Sequence, residues 1–109
     1  MVATMNKARA KGTEFESAVT NYLIESGFEH AHRLPLGSPL GDVAGTPMTI
    51  EAKNHKEMAL GTWVKQAENS SLKTGKRWAV VHKRRGKNVS QAYVTMSLET
   101  FAELLKHLT

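Results

Sequence analysis

The chain has 109 residues, a formal charge of +5 and no cysteine. That length allows one domain with a single small core. The missing thiols exclude disulfides and thiolate metal sites, so any metal must be held by oxygen or imidazole, and no apolar run is long enough for a signal peptide or a membrane span.

Residues 1–12 carry Lys7, Arg9 and Lys11 with no acid and are expected to form a basic arm ahead of one domain, 13–109. Thr13-Glu14-Phe15-Glu16 has the form of a capping box, Thr13 as N-cap and Glu16 at N3. Phe15, Val19, Tyr22 and Leu23 then recur at helical spacing, and Gly27 is the expected stop. FEHAHRLPL, 28–36, predicts a strand that Pro35 ends or pushes to an edge. Short strands follow at 41–44 and 48–54, with a turn at Gly45-Thr46-Pro47 between them.

A second helix is expected over 59–72, with Thr62 as a candidate cap and Gly75 beyond its end. RWAVVHK, 77–83, is a β-branched and aromatic run that predicts a strand. Its partner returns at 90–96 after a basic turn. Ser97 caps a last helix in which Phe101, Leu104, Leu105 and Leu108 form an apolar stripe. The order α-β-β-β-α-β-β-α predicts an α/β fold with a mixed sheet flanked by helices.

Chemistry concentrates in MTIEAKN, 48–54. Side chains alternate between the faces of a strand, so Met48, Ile50 and Ala52 share one face and Thr49, Glu51 and Lys53 the other. A turn of residues 44–47 pairs Val43 with Met48 and Asp42 with Thr49. That brings Asp42 to the face of Glu51, diagonally across the ladder, and an odd turn would send it away. Two converging carboxylates repel unless a cation lies between them. Oxygen ligands that leave room for water suit Mg²⁺, with Mn²⁺ as a substitute. Such an ion can polarise a phosphodiester and activate water. Lys53 can hold or deprotonate that water, or neutralise the transition state.

Asp42 followed by Glu51-Ala52-Lys53, after a helix bearing Glu16, resembles the PD-(D/E)XK nuclease superfamily. KGTEFESAVTNYLIESGF, WVKQAENS and RWAVVHK are similar to the helices and strand of its Holliday junction resolvase branch from archaea and phages. The similarity runs over roughly residues 9–96. It implies a restriction-endonuclease-like α-β-β-β-α-β core with an extra C-terminal strand and helix. It also implies Asp42 and Glu51 as metal ligands, with the Ala52 carbonyl as a candidate third, and Lys53 as the catalytic lysine. Glu16 would complete the acidic cluster, unless capping is its whole role, and Gln66 would support the site or the scissile phosphate. Gly41 stands where that family's proline would be.

From Lys53 to Leu98 there are ten lysines or arginines against Glu57 and Glu68. Segregated positive charge of this kind attracts polyanions. Lys83, Arg84, Arg85 and Lys87 form a turn that can straddle phosphates, and Lys7, Arg9, Lys11, Arg33 and Lys56 extend the track, with Ser38 in the loop before the site. None is placed to read bases, which favours structure-selective binding. The five histidines show no metal-ligand spacing and are expected to be ordinary or DNA-facing residues; Trp63 and Trp78 are expected to pack the core or a dimer.

The function these features imply is a Mg²⁺-dependent endonuclease that resolves four-way DNA junctions as a homodimer in the cytoplasm of a bacterial, archaeal or phage-infected cell. A flap, single-strand or mismatch nuclease is the nearest alternative. A basic protein that binds nucleic acid without cutting it is the other.

Overall fold

The structure, a computed structural model, describes the backbone of residues 2–108 and the side chains of residues 9–108. The elements are α1 (Val2–Glu25), β1 (His32–Arg33), β2 (Val43–Ala44), β3 (Thr49–Lys53), α2 (Leu60–Thr74), β4 (Trp78–His82), β5 (Tyr93–Thr95) and α3 (Leu98–Leu105). Short 3₁₀ turns at Val89–Gln91 and Lys106–Leu108 complete the fold. The element order is the expected one, and several boundaries are not.

Residues 2–12, expected as an arm, are helical and continuous with α1. Ala3, Met5, Lys7, Ala8, Arg9, Ala10 and Lys11 favour helix strongly, and one interior glycine, Gly12, costs only about 1 kcal/mol against that run. Thr13 is therefore inside the helix and caps nothing, which removes the capping role from Glu16. The strand expected over 28–36 shrinks to two residues. Turns consume the rest: the Ala31 amide donates to the Phe28 carbonyl, and the Ser38 amide to the Pro35 carbonyl. Helix α2 starts from Ala59 with no side-chain cap, leaving Thr62 within its first turn. It ends at Gly75 as expected, whose amide closes on the Ser71 carbonyl.

The five strands lie in chain order, β1-β2-β3-β4-β5. All neighbours are antiparallel except β3 and β4, which α2 joins by a crossover. Helix α1 covers one face, where Phe15 and Val19 pack with Val43, Ile50 and Ala52. Helix α2 covers the other, where Trp63 and Ala67 pack on Val80. Val43 and Val80 are fully buried, one in each layer, and burying a side chain of this size contributes about 1.5–3 kcal/mol.

Val43 pairs with Ile50, not with Met48. The loop between β2 and β3 is two residues longer than expected. The Thr46 hydroxyl closes it by donating to the Met48 carbonyl, and Gly45 lies so near the His30 carbonyl that a Cβ would collide there. Because the slip is even, the faces are preserved. Asp42 remains on the Glu51 side, close enough to hydrogen-bond with it.

Among the described residues no helix is long and apolar enough to cross a membrane. Helix α3 is capped by Ser97, whose hydroxyl accepts the Thr100 amide. Its apolar stripe faces outward: Phe101, Leu104 and Leu105 are each more than two-fifths exposed. Edge strand β5 beside it leaves Tyr93 and Val94 half exposed.

Candidate active site

The parallel pairing of β3 with β4 brings their carboxyl ends together, with Lys53 opposite His82. Open α/β sheets bind ligands at that end. A cleft of about 520 Å³ opens there, beneath α2 and beside the 36–39 loop. Glu16, Asp42, Glu51, Ala52, Lys53 and Gln66 all line it, with Ser38 at its rim. These are the residues named for hydrolysis from the sequence, delivered by α1, the β2 approach, β3 and α2.

Asp42 is held at the point where the ladder between β2 and β3 stops. Its amide donates to the Ile50 carbonyl at 2.8 Å, and its Oδ2 accepts the Ala52 amide at 2.8 Å. A strand residue directs its N–H and C=O to the same side. The Ala52 carbonyl therefore opens toward Asp42, past the end of β2. Gly41 has φ +107°, and a Cβ there would come within 2.9 Å of the Ile50 carbonyl. Proline cannot adopt that angle, which accounts for glycine at this position.

Glu51 is 6 % exposed, and its Oε1 accepts the Ser70 hydroxyl at 2.9 Å. Burial, then the charge of Asp42 and a hydrogen bond with it, push the Glu51 carboxyl up to about 7, against the pull of Ser70 and Lys53. Glu51 thus resists ionisation beside Asp42 in the absence of a cation. Glu16 is also raised, by burial first and by Asp42 second, while Arg33 and Lys53 oppose the shift. Lys53 lies within electrostatic reach of both glutamates.

Glu16 is not a free ligand. Its Oε2 pairs with the Arg33 guanidinium at 3.4 Å. Among the described residues no three acidic or imidazole side chains form a ready cation cage. The donor set at this point is a pair of carboxylates, Asp42 and Glu51, with the adjacent Ala52 carbonyl. Oxygen donors with this much open cleft fit a hydrated magnesium-sized ion.

The basic residues divide by location. Lys11, Lys83, Arg84, Arg85 and Lys87 line a separate hollow. Arg9 and Arg33 flank Glu16 in a smaller one, Lys56 is exposed beyond β3, and the Lys7 side chain lies outside the described residues. Trp63 is buried core. One face of it stacks on exposed His55, with centroids 5.6 Å apart. On another side is His82, whose Nε2 meets the Thr95 hydroxyl at 2.9 Å; burial lowers the pKa of this imidazole.

Sequence reasoning missed Ser70, Asn69 and Lys73, which line the cleft with Gln66 from one side of α2. The signal was present for Ser70. Trp63, Ala67 and Ser70 share a helical face, and a hydroxyl on a buried stripe needs a partner. Comparison of the chain with protein-family models, with curated proteins and with solved structures finds no match.

Proposed function

We propose that this protein is a Mg²⁺-dependent endonuclease of the PD-(D/E)XK kind, which hydrolyses phosphodiesters in branched DNA, four-way junctions first among them. The observation that supports it most is the convergence of Asp42 and Glu51 in one cleft with Lys53, on strands that occur in the chain order of that nuclease core. A carboxyl raised to about 7 by burial and an adjacent acid is a group prepared for a cation, since metal binding relieves the repulsion that burial intensifies.

In this reading Asp42, Glu51 and the Ala52 carbonyl would hold the ion, which would supply charge neutralisation at the phosphoryl group and a more acidic water. Lys53 orients or deprotonates the attacking water and balances charge as the phosphorane forms. Ser70 fixes the Glu51 carboxylate by its 2.9 Å hydrogen bond. Gln66, exposed at the cleft, donates to a non-bridging phosphate oxygen. Glu16, steadied by Arg33, adds to the acidic cluster through water.

Junction resolution requires two cuts related by a two-fold axis, so the active form is a homodimer. The outward apolar face of α3 and the free edge of β5 support that assembly, because an exposed apolar helix face of this kind marks an interface.

The test is incubation of a synthetic four-way junction with the protein and Mg²⁺. Paired cuts that vanish with Lys53→Ala support the proposal. Preferred cutting of a flap or single strand would move the reading to another nuclease of the same kind. Binding without cutting, unaffected by Lys53→Ala, would leave a nucleic-acid-binding protein.

A further inference from the structure

We infer that the hollow on the α1 side of the sheet is a second phosphate site, which holds a backbone phosphate of the same DNA strand whose scissile group occupies the cleft. It has a volume of about 390 Å³, and Lys11, Lys83, Arg84, Arg85 and Lys87 line it against one acid, Glu14. Cations gathered around one concavity repel one another, and a bound anion offsets that repulsion.

The hollow is tied to the cleft. Asn54 lines both, and its side-chain amide donates to the Lys11 carbonyl at 3.4 Å, joining α1 to the end of β3. The Lys83 amide donates to the Lys53 carbonyl at 3.0 Å, so the basic turn is anchored on the residue proposed for catalysis. Asn88 closes the far side of the turn by accepting the Ser90 amide. The Arg84 guanidinium lies 5.0 Å from the centre of the Tyr93 ring, which packs on His82 beside Trp63; this cation–π contact holds its charge toward the α2 face and leaves Lys11, Lys83, Arg85 and Lys87 as the cations of the hollow.

The cleft and the hollow lie on either side of α1, which gives Gly12 and Glu16 to the first and Lys11 and Glu14 to the second, and they meet at Asn54. A strand that occupies both crosses the carboxyl ends of β3 and β4 at Asn54. A phosphate held in the hollow then tethers the strand whose scissile phosphate reaches Lys53. Such contacts position the substrate and carry no sequence information.

The inference rests on the nuclease reading, and its test separates the two. Binding of a four-way junction is measured without divalent metal, over a range of salt, for the wild type, Arg85→Gln, Lys87→Gln and the control Lys65→Gln on the exposed side of α2. Each hollow variant is expected to weaken binding several-fold and to lower the salt slope by roughly 0.9, with Lys65→Gln close to wild type. With Mg²⁺, the same variants should raise KM and leave kcat within about twofold, as expected when a removed contact binds ground and transition states equally. Slopes unchanged from wild type, or changed equally by Lys65→Gln, would overturn the second site. Inorganic phosphate that binds through Arg85 while the DNA slope stays unchanged would also overturn it, in favour of a free-anion site. Loss of all cutting in the wild type with the slopes as expected would reject the nuclease alone.

Discussion

Asp42 Oδ2 accepts the Ala52 amide at 2.8 Å, where a strand carbonyl would otherwise continue the ladder. One carboxylate oxygen is thereby committed to the backbone of the Glu51-Ala52-Lys53 segment, and the Asp42–Glu51 juxtaposition is locked by main chain instead of by flexible side chains. The consequences for substitution are distinct for the isostere and for truncation.

Asp42→Asn keeps an oxygen that can accept the Ala52 amide and removes a charge beside Glu51. Its thermal stability should equal or exceed that of the wild type, while Mg²⁺-dependent cleavage falls by roughly a hundredfold or more. Asp42→Ala loses the bond as well, and should be less stable than Asp42→Asn by about 1 kcal/mol. Thermal melting paired with a cleavage assay reads both effects.

Metal-free stability should depend on pH through Glu51. Its folded pKa, about 7, lies above the ordinary glutamate value of 4.5. The folded state therefore binds the proton more tightly, and the associated stability is full below pH 4.5 and lost as pH rises through 7. The loss is on the order of 3 kcal/mol, with the melting temperature falling over that interval. Glu51→Gln should flatten the curve there. Mg²⁺ or Mn²⁺ should stabilise the wild type more at a pH above the Glu51 pKa than below it.

Ser70→Ala removes the donor that lowers the Glu51 pKa. The acidic limb of the pH–rate profile should shift to higher pH, while the rate at high pH changes far less. A purely structural role for Ser70 would lower the rate equally at all pH values. Stability should fall by about 1–2 kcal/mol, because a buried carboxylate oxygen loses its partner.

The face of α3 predicts association. Phe101 and Leu104 are 47 % and 41 % exposed on its apolar stripe. Leu104→Glu should leave the monomer fold intact and shift sedimentation from dimer to monomer. Paired cutting of a junction should then become independent nicking. An unchanged sedimentation coefficient would place the interface elsewhere.

The central strand was legible because alternation is a strong local rule. Ile50 and Ala52 go under α1, and Thr49 and Glu51 turn to the other side, as their parity demands. The order of elements and the Ser97 cap followed from local chemistry in the same way. The register of Val43 did not, because the path of the 45–48 loop is set by the close pass of Gly45 over the His30 carbonyl, a contact distant in sequence. Asp42 reached the Glu51 face because the slip was even. Thr13 misled because a capping box is a short pattern, and the helix-forming run before it continues α1 through that point. The pairing of Glu16 with Arg33 joins residues 17 apart, and nothing local signals it.

The most direct measurement is a Mn²⁺ titration of the wild type, Asp42→Asn and Glu51→Gln, followed by electron paramagnetic resonance. Saturable binding to the wild type that both substitutions abolish is the expected result. Binding that persists in both variants, or no binding to the wild type with DNA present, would contradict a metal centre between Asp42 and Glu51.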